Sequence, residues 1–219
     1  MKKFISKLII IVWVIIPIST AQADEQYTIY LKSRSFIPTP GIEQKAKVTL
    51  NKSAILGTRS VLMCQFYTIP NKTQHHNLKE AGIELLEYIP NNTWLIKAPS
   101  KPIEVLVQSL SDATFSNIRW LGTLLVLDKV EPSLVEKIKT QGEKEHIMNL
   151  WVDFFKNVPS NEARSLVISY DGEVIEEIPE LSRLVVSLPK TTVLELASEN
   201  GVQWIMQESL PPQTLNNGM

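Results

Sequence analysis

GIELLEYIPNNTWLIKAP, residues 82–99, and GEVIEEIPELSRLVVSLP, residues 172–189, spell one supersecondary unit twice, 90 positions apart. Each copy reads as a strand, a bend opened by Ile-Pro, and a second strand. The flanking sequence repeats as well. Before the first copy lie an alternating strand, VLMCQFY, a polar turn and a helix over residues 73–81 closed by Gly82. After it come a helix with Ile103, Leu106, Val107 and Leu110 at helical spacing, and a last strand, IRWLGTL. The second copy follows a strand, LWVDFF, and a helix from Ser160 with the apolar stripe Ala163, Leu166, Val167 and Tyr170, stopped at Gly172. It leads into a helix over residues 191–200, where Thr192 and Glu195 have capping-box spacing, and the strand VQWIMQ. Both halves therefore read strand, helix, strand, strand, helix, strand. Gly82 aligns with Gly172, Ile89-Pro90 with Ile178-Pro179, Pro99 with Pro189, and IRWL with VQWI.

That order predicts an α+β fold of two tandem ferredoxin-like (βαββαβ) modules, each a four-stranded antiparallel sheet with both helices on one face. Residues 58–127 form the expected first module and 148–209 the second, joined by a helical linker over 128–147. Residues 24–57 are a lead-in, and 210–219 an extended tail.

The first 23 residues stand apart. Lys2, Lys3 and Lys7 precede the apolar run LIIIVWVIIPI, and Ala21 and Ala23 occupy the small-residue positions of a signal peptidase site. The run is too short to span a bilayer, for which about 20 residues are needed, and Pro17 interrupts its end. Cleavage is expected between Ala23 and Asp24, giving an exported protein with no membrane partner thereafter. Removing the segment leaves 19 basic against 23 acidic residues, a net charge of −4 without a basic cluster. Nucleic acid is not the partner that balance selects.

Strand alternation shows where surplus apolar surface lies. In LWVDFF, Leu150, Val152 and Phe154 face one way and Trp151, Asp153 and Phe155 the other. In RLVVSL, Leu184, Val186 and Leu188 oppose Arg183, Val185 and Ser187. Helices cover one face only, so the other retains Trp151, Phe155 and Val185 for an interface, either with a partner or between the modules.

The stretches VLMCQFYTIP, LKEAGIELLEYIPNNTWLIKAP, NIRWLGTLLVLDKVEPSL and VQWIMQESLPPQTLNNGM, with the lead-in YTIYLKSRSFIPTPGI, resemble the amino-terminal prosegment of bacterial secreted subtilisin-like serine peptidases. The likeness covers roughly residues 27–219, and its LNNGM is similar to the stretch that in the family leads into the catalytic domain. The resemblance implies a folding chaperone and temporary inhibitor, seen here without its catalytic domain. It implies a subtilisin-like catalytic domain as the partner, in cis or in trans, periplasmic or secreted. Trp151, Phe155 and Val185 are then the candidate docking face, and the candidate cleft-occupying segment is Gln207, Glu208, Ser209, Leu210, Pro211, Pro212, Gln213, Thr214 and Leu215. Pro211-Pro212 would keep that segment extended. A free-standing exported peptidase inhibitor and a non-inhibitory interaction module are the alternatives, since a fold of this kind serves many roles.

No catalytic, metal or cofactor site is expected. The Asp-Thr-Gly, His-Gly-Thr and Gly-Thr-Ser motifs that carry the family's triad do not occur. His75 and His76 are adjacent on a helix and point about 100° apart, and His146 lies in the linker, so the three histidines make no facial site. Cys64, the single cysteine, sits in a strand with no activating neighbour and reads as a buried thiol. Asn71-Lys72-Thr73 and Asn91-Asn92-Thr93 fit the glycosylation pattern but fall at turns, where asparagine is favoured for backbone reasons. Glu84, Glu87, Glu176 and Glu177 read as solvated sheet edges.

Overall fold

A computed structural model describes residues 25–140 and 147–208, an α+β structure with sheets of two, five and four strands. The expected signal segment, His146 and the tail from Ser209 onward lie outside the described residues.

In the lead-in, β1 (Ile29–Tyr30) and β2 (Ser35–Phe36) form a small antiparallel hairpin. They are followed by β3 (Gly41–Ile42) and the helix α1 (Gln44–Leu56). Next come β4 (Ser60–Phe66), α2 (Lys72–Glu80), β5 (Glu84–Ile89) and β6 (Thr93–Ala98). α3 (Ile103–Gln108), a short α4 (Asp112–Phe115) and β7 (Ile118–Thr123) complete the first half. α2 starts at a capping box in which Asn71 and Gln74 each accept from the other's backbone N–H at 3.0 Å. Gly82, at φ 86°, closes it in the left-handed region. The β5–β6 bend holds Asn91 and Asn92 at φ 66° and 56°, which asparagine tolerates better than most residues.

The junction is a 3₁₀ turn, Val126–Lys129, and the helix α5 (Pro132–Lys139). The second half runs β8 (Ile147–Phe154), α6 (Ser160–Ser169), β9 (Glu173–Ile178), β10 (Arg183–Pro189), α7 (Val193–Ser198) and β11 (Val202–Gln207). Two local expectations fail here. The left-handed residue after α6 is Asp171, at φ 58°, and Gly172 serves close packing instead. A Cβ at 172 would lie 2.7 Å from Val167 Cγ1 and 2.8 Å from Leu188 Cδ1. The capping box of Thr192 and Glu195 does not form either. A 3₁₀ turn, Lys190–Thr192, leads into α7, so Thr192 is helical rather than extended, and its hydroxyl donates back to Pro189 O at 3.0 Å.

The five-stranded sheet has the order β3-β7-β4-β6-β5 and the four-stranded sheet β11-β8-β10-β9. All pairs in the latter are antiparallel. The first sheet departs from the expected four antiparallel strands because the lead-in adds β3 alongside β7 in parallel. The Ile42 amide is followed by a Glu43 N–H that donates to Leu121 O, carrying the chain straight into α1. β5 and β9 are sheet ends on which Glu84, Glu87 and Glu176 stand exposed.

Each sheet has a helix-covered core. Leu62, Cys64, Phe66, Ile96 and Leu121 pack under Leu50, Leu78, Ile103 and Leu106. Leu150, Val152, Phe154, Leu184, Val186 and Leu188 pack under Ala163, Val167, Val193 and Leu196. The inward set of β8 and β10 is the one read from alternation. A third cluster lies on the opposite face of the first sheet, where Met63, Leu95 and Trp120 meet Ile29 and Phe36 of the hairpin and Phe155 from the end of β8. Burial in the first of these cores pushes the Cys64 thiol far above its ordinary value, so it is an inert packing group.

Candidate interaction face and module junction

The two sheets differ in what happens to the face away from their helices. On the first sheet that face is covered within the chain. Trp120 packs edge-on against Phe36, with ring centroids 5.8 Å apart, and its indole lies across Gly122, where a Cβ would sit 1.9 Å from the ring. Leu31, Val61 and Val158 close the margin.

Burying that face leaves polar groups to be satisfied. A bulge where Gln65 and Phe66 oppose Ile118 to Trp120 re-aims Arg119. Its guanidinium, 4 % exposed with its residue, donates to Pro38 O at 2.8 Å and Gln65 Oε1 at 2.9 Å, and lies 4.1 Å from the Tyr27 ring. Gln65 Nε2 in turn donates to Tyr27 O and Asn91 O. An arginine in an apolar strand was the one sequence sign of this network.

Among the described residues the equivalent face of the second sheet is covered only at its Trp204 corner. Ile147, Trp151 and Asp153 of β8, Arg183 and Val185 of β10, and Trp204 and Met206 of β11 share it by register. At one end of it Arg183 makes a two-pronged contact with Asp153, Nε to Oδ1 at 2.5 Å and Nη2 to Oδ2 at 3.0 Å, and stacks 4.6 Å above the Trp151 ring. The hydrogen bonds that Arg183 donates to Asp153 outweigh partial burial and raise the guanidinium above its ordinary value. Trp204 is screened by Lys32 of the hairpin, whose Nζ lies 4.8 Å over its ring. Ile147 is 53 % exposed and Trp151 and Met206 half-buried.

The three residues expected to dock are thus separated. Trp151 is on the open face and reachable. Val185 is on the same face but buried among its neighbours, paired across the strands with Trp151 and Glu176. Phe155 is not on it. It follows the last residue of β8 and turns, with Val158, into the cluster between the two halves, because that strand end abuts the first sheet. Of the expected cleft-occupying segment, Gln207 still belongs to β11, opposite Leu150, and Glu208 N–H donates to Asn149 O at 3.2 Å. Ser209 to Leu215 lie outside the described residues, as do Ala23 and Asp24.

The junction between the halves is strongly polar. Asp128 accepts from Arg34 Nε and Nη2 at 2.7 and 2.8 Å, from Ser33 Oγ at 3.0 Å and from Leu125 N at 3.0 Å. Burial raises its pKa, and those hydrogen bonds more than offset the effect, holding the carboxyl below the usual range. Its neighbour Lys129 is buried and donates from Nζ to Glu199 O at 2.7 Å on the second half. Desolvation pulls that ammonium down to about 8, against a smaller opposing pull from the Glu199 charge. Val130 bridges to Ile205 and Glu131 N–H donates to Ile205 O at 2.9 Å, covering the outer edge of β11. Gln203 Nε2 to Glu87 Oε2 at 2.6 Å and Asn200 Nδ2 to Arg59 O at 3.2 Å complete the seam.

His75 and His76 are exposed on α2, and no group of three or more His, Cys, Asp or Glu residues with metal-binding geometry occurs among the described residues. Among those residues no helix is long and apolar enough to cross a membrane. Among known families the chain is similar to a domain of unknown function (DUF8729) over residues 30–125, which run from the lead-in hairpin through the five-stranded sheet. No curated protein and no solved structure matches the chain.

Proposed function

We propose that the chain is an exported binding module that docks through the open face of its second sheet on a subtilisin-like serine peptidase, as that enzyme's prosegment. In this reading both halves are ferredoxin-like modules. The shared element order and the corresponding strand orders, β7-β4-β6-β5 and β11-β8-β10-β9, support it. The observation that carries the docking assignment is the contrast between the two faces. The first is filled by the chain's own hairpin, while the second presents Ile147, Trp151 and Met206, with a fixed Arg183–Asp153 pair at one end. A rigid sheet with aromatic anchors binds a partner at low ordering cost. The edge strand of that face, β11, leads directly into the segment assigned to the peptidase cleft, where an extended chain adds main-chain hydrogen bonds.

The test is the purified protein added to a subtilisin-like peptidase hydrolysing a chromogenic peptide. Slowing at micromolar concentration that is lost in Trp151→Asp is the expected result. No slowing, together with no gain in the refolding yield of the denatured peptidase, overturns the reading. Inhibition without any effect on refolding would point to the free-standing inhibitor.

A further inference from the structure

A cleft of about 450 Å³ opens between the two halves, outside the docking face. Its walls come from α1, the end of β7, the 3₁₀ turn of the junction and the bend between α7 and β11. Its surface is mostly apolar, with Val48, Leu124 and Val126 contributing. The size is that of a small-ligand site.

Two polar groups in this cleft have unused capacity. Thr123 Oγ1 is the buried side-chain oxygen that finds no hydrogen-bond partner among the described residues, although the Thr123 N–H donates to Glu43 Oε2 at 3.3 Å. Leaving such a group unsatisfied costs on the order of 1–3 kcal/mol. Lys129 is 5 % exposed, and its ammonium carries three donors, of which one contact is made, to Glu199 O. Lys129 lines the cleft together with Ser198 and Asn200, which stand on either side of Glu199. Lys129 has no carboxylate within ion-pair distance among the described residues. Lys45 stands at the rim. The charged groups around the cleft are Lys129 and Lys45 together with two carboxylates, Glu43, which accepts from the Thr123 N–H, and Glu199, which accepts from Tyr170.

We propose that this cleft binds a small carboxylate with a short aliphatic body, its charge paired with Lys129, its second oxygen accepting from Thr123 Oγ1, and its carbon chain on Val48 and Leu124. A buried ammonium that has no carboxylate in ion-pair contact among the described residues gains most from such a ligand, because its desolvation has already occurred in the folded protein. The carboxylate can belong to a free acid or to the end of a peptide. This site is independent of the docking face.

Sodium 4-methylpentanoate, its neutral amide, and acetyl-Gly-Leu with a free or an amidated terminus separate the sources. Each is titrated to 20 mM into the purified protein, with backbone amide shifts and the Lys129 Cε resonance followed by NMR across pH 7–11. Millimolar, saturable shifts at Thr123 and Val126 with a carboxylate but not with its amide are expected, with the Lys129 titration midpoint raised by about half a unit or more. The free acid alone acting, or both carboxylates acting, tells which source the cleft accepts. Thr123→Val should weaken binding several-fold, and Lys129→Met should abolish it. Equal binding of acid and amide, or an unmoved Lys129 midpoint in the wild-type protein, overturns the proposal whether or not the Lys129 variant folds.

Discussion

Arg34 and Asp128, 94 residues apart, meet in a two-pronged ion pair that ties the lead-in hairpin to the turn between the two halves. The Asp128 side chain is 2 % exposed and that of Arg34 38 %, so the carboxylate side of the pair is dry. The Arg34 guanidinium also lies 4.1 Å from the Phe36 ring, whose edge contact holds Trp120. One salt bridge thus secures the cover of the first sheet.

Asp128→Ala is expected to lower the unfolding free energy by about 1–2 kcal/mol, less than a fully buried pair because Arg34 stays partly hydrated. Hydrogen exchange at residues 29–36 should accelerate more than exchange in β4. Because the folded carboxyl titrates below its unfolded value, its contribution is present above the unfolded pKa and is lost as pH falls through the folded one. The variant should therefore show a flatter stability profile below about pH 4. Urea midpoints at pH 3 and pH 7 measure both effects.

Lys129 makes the opposite pH signature. Its folded value of about 8 lies below the unfolded value, so between about pH 8 and 10.5 the unfolded chain holds the extra proton and stability rises with pH. The full swing is roughly 3 kcal/mol at most. Lys129→Met should remove that rise, and guanidinium melts at pH 7.5 and 9.5 compare the two proteins. An equal rise in the variant would assign the effect elsewhere.

Phe155→Ala removes a ring that the second half inserts into the cover of the first. A loss of about 3 kcal/mol is expected from the cavity. Melting should then separate into two transitions, since the contact bridges the halves rather than stabilising one of them. Calorimetry distinguishes this from a single lowered transition.

Trp151→Ala should behave differently. The ring is half-buried on an open face, so stability falls by about 1 kcal/mol or less while partner binding weakens at least tenfold. Circular dichroism melts paired with inhibition of the peptidase read the two quantities separately.

Much of the secondary structure was legible because its signals are local. Alternation in LWVDFF and RLVVSL predicts which side chains enter the core, and Leu150, Val152, Leu184 and Val186 do so. The stripe Ile103, Leu106, Leu110 faces inward for the same reason. Thr192 and Glu195 show the limit of spacing rules, for the chain enters α7 through a 3₁₀ turn and the cap has no extended residue to act from. The candidate face was half legible. Alternation put Trp151, Val185 and Phe155 on one side, yet the end of β8 meets another sheet and takes Phe155 away with it.

What the residues determine by themselves is periodicity, hence the doubled strand and helix order and the inward set of each strand, because side-chain direction follows from backbone geometry one residue at a time. Which surplus face stays open, which lysine loses its water and which aspartate gains an arginine depend on surfaces brought together from distant parts of the chain. Only the tertiary structure decides those, since desolvation and ion pairing act through space and leave no trace in local spacing.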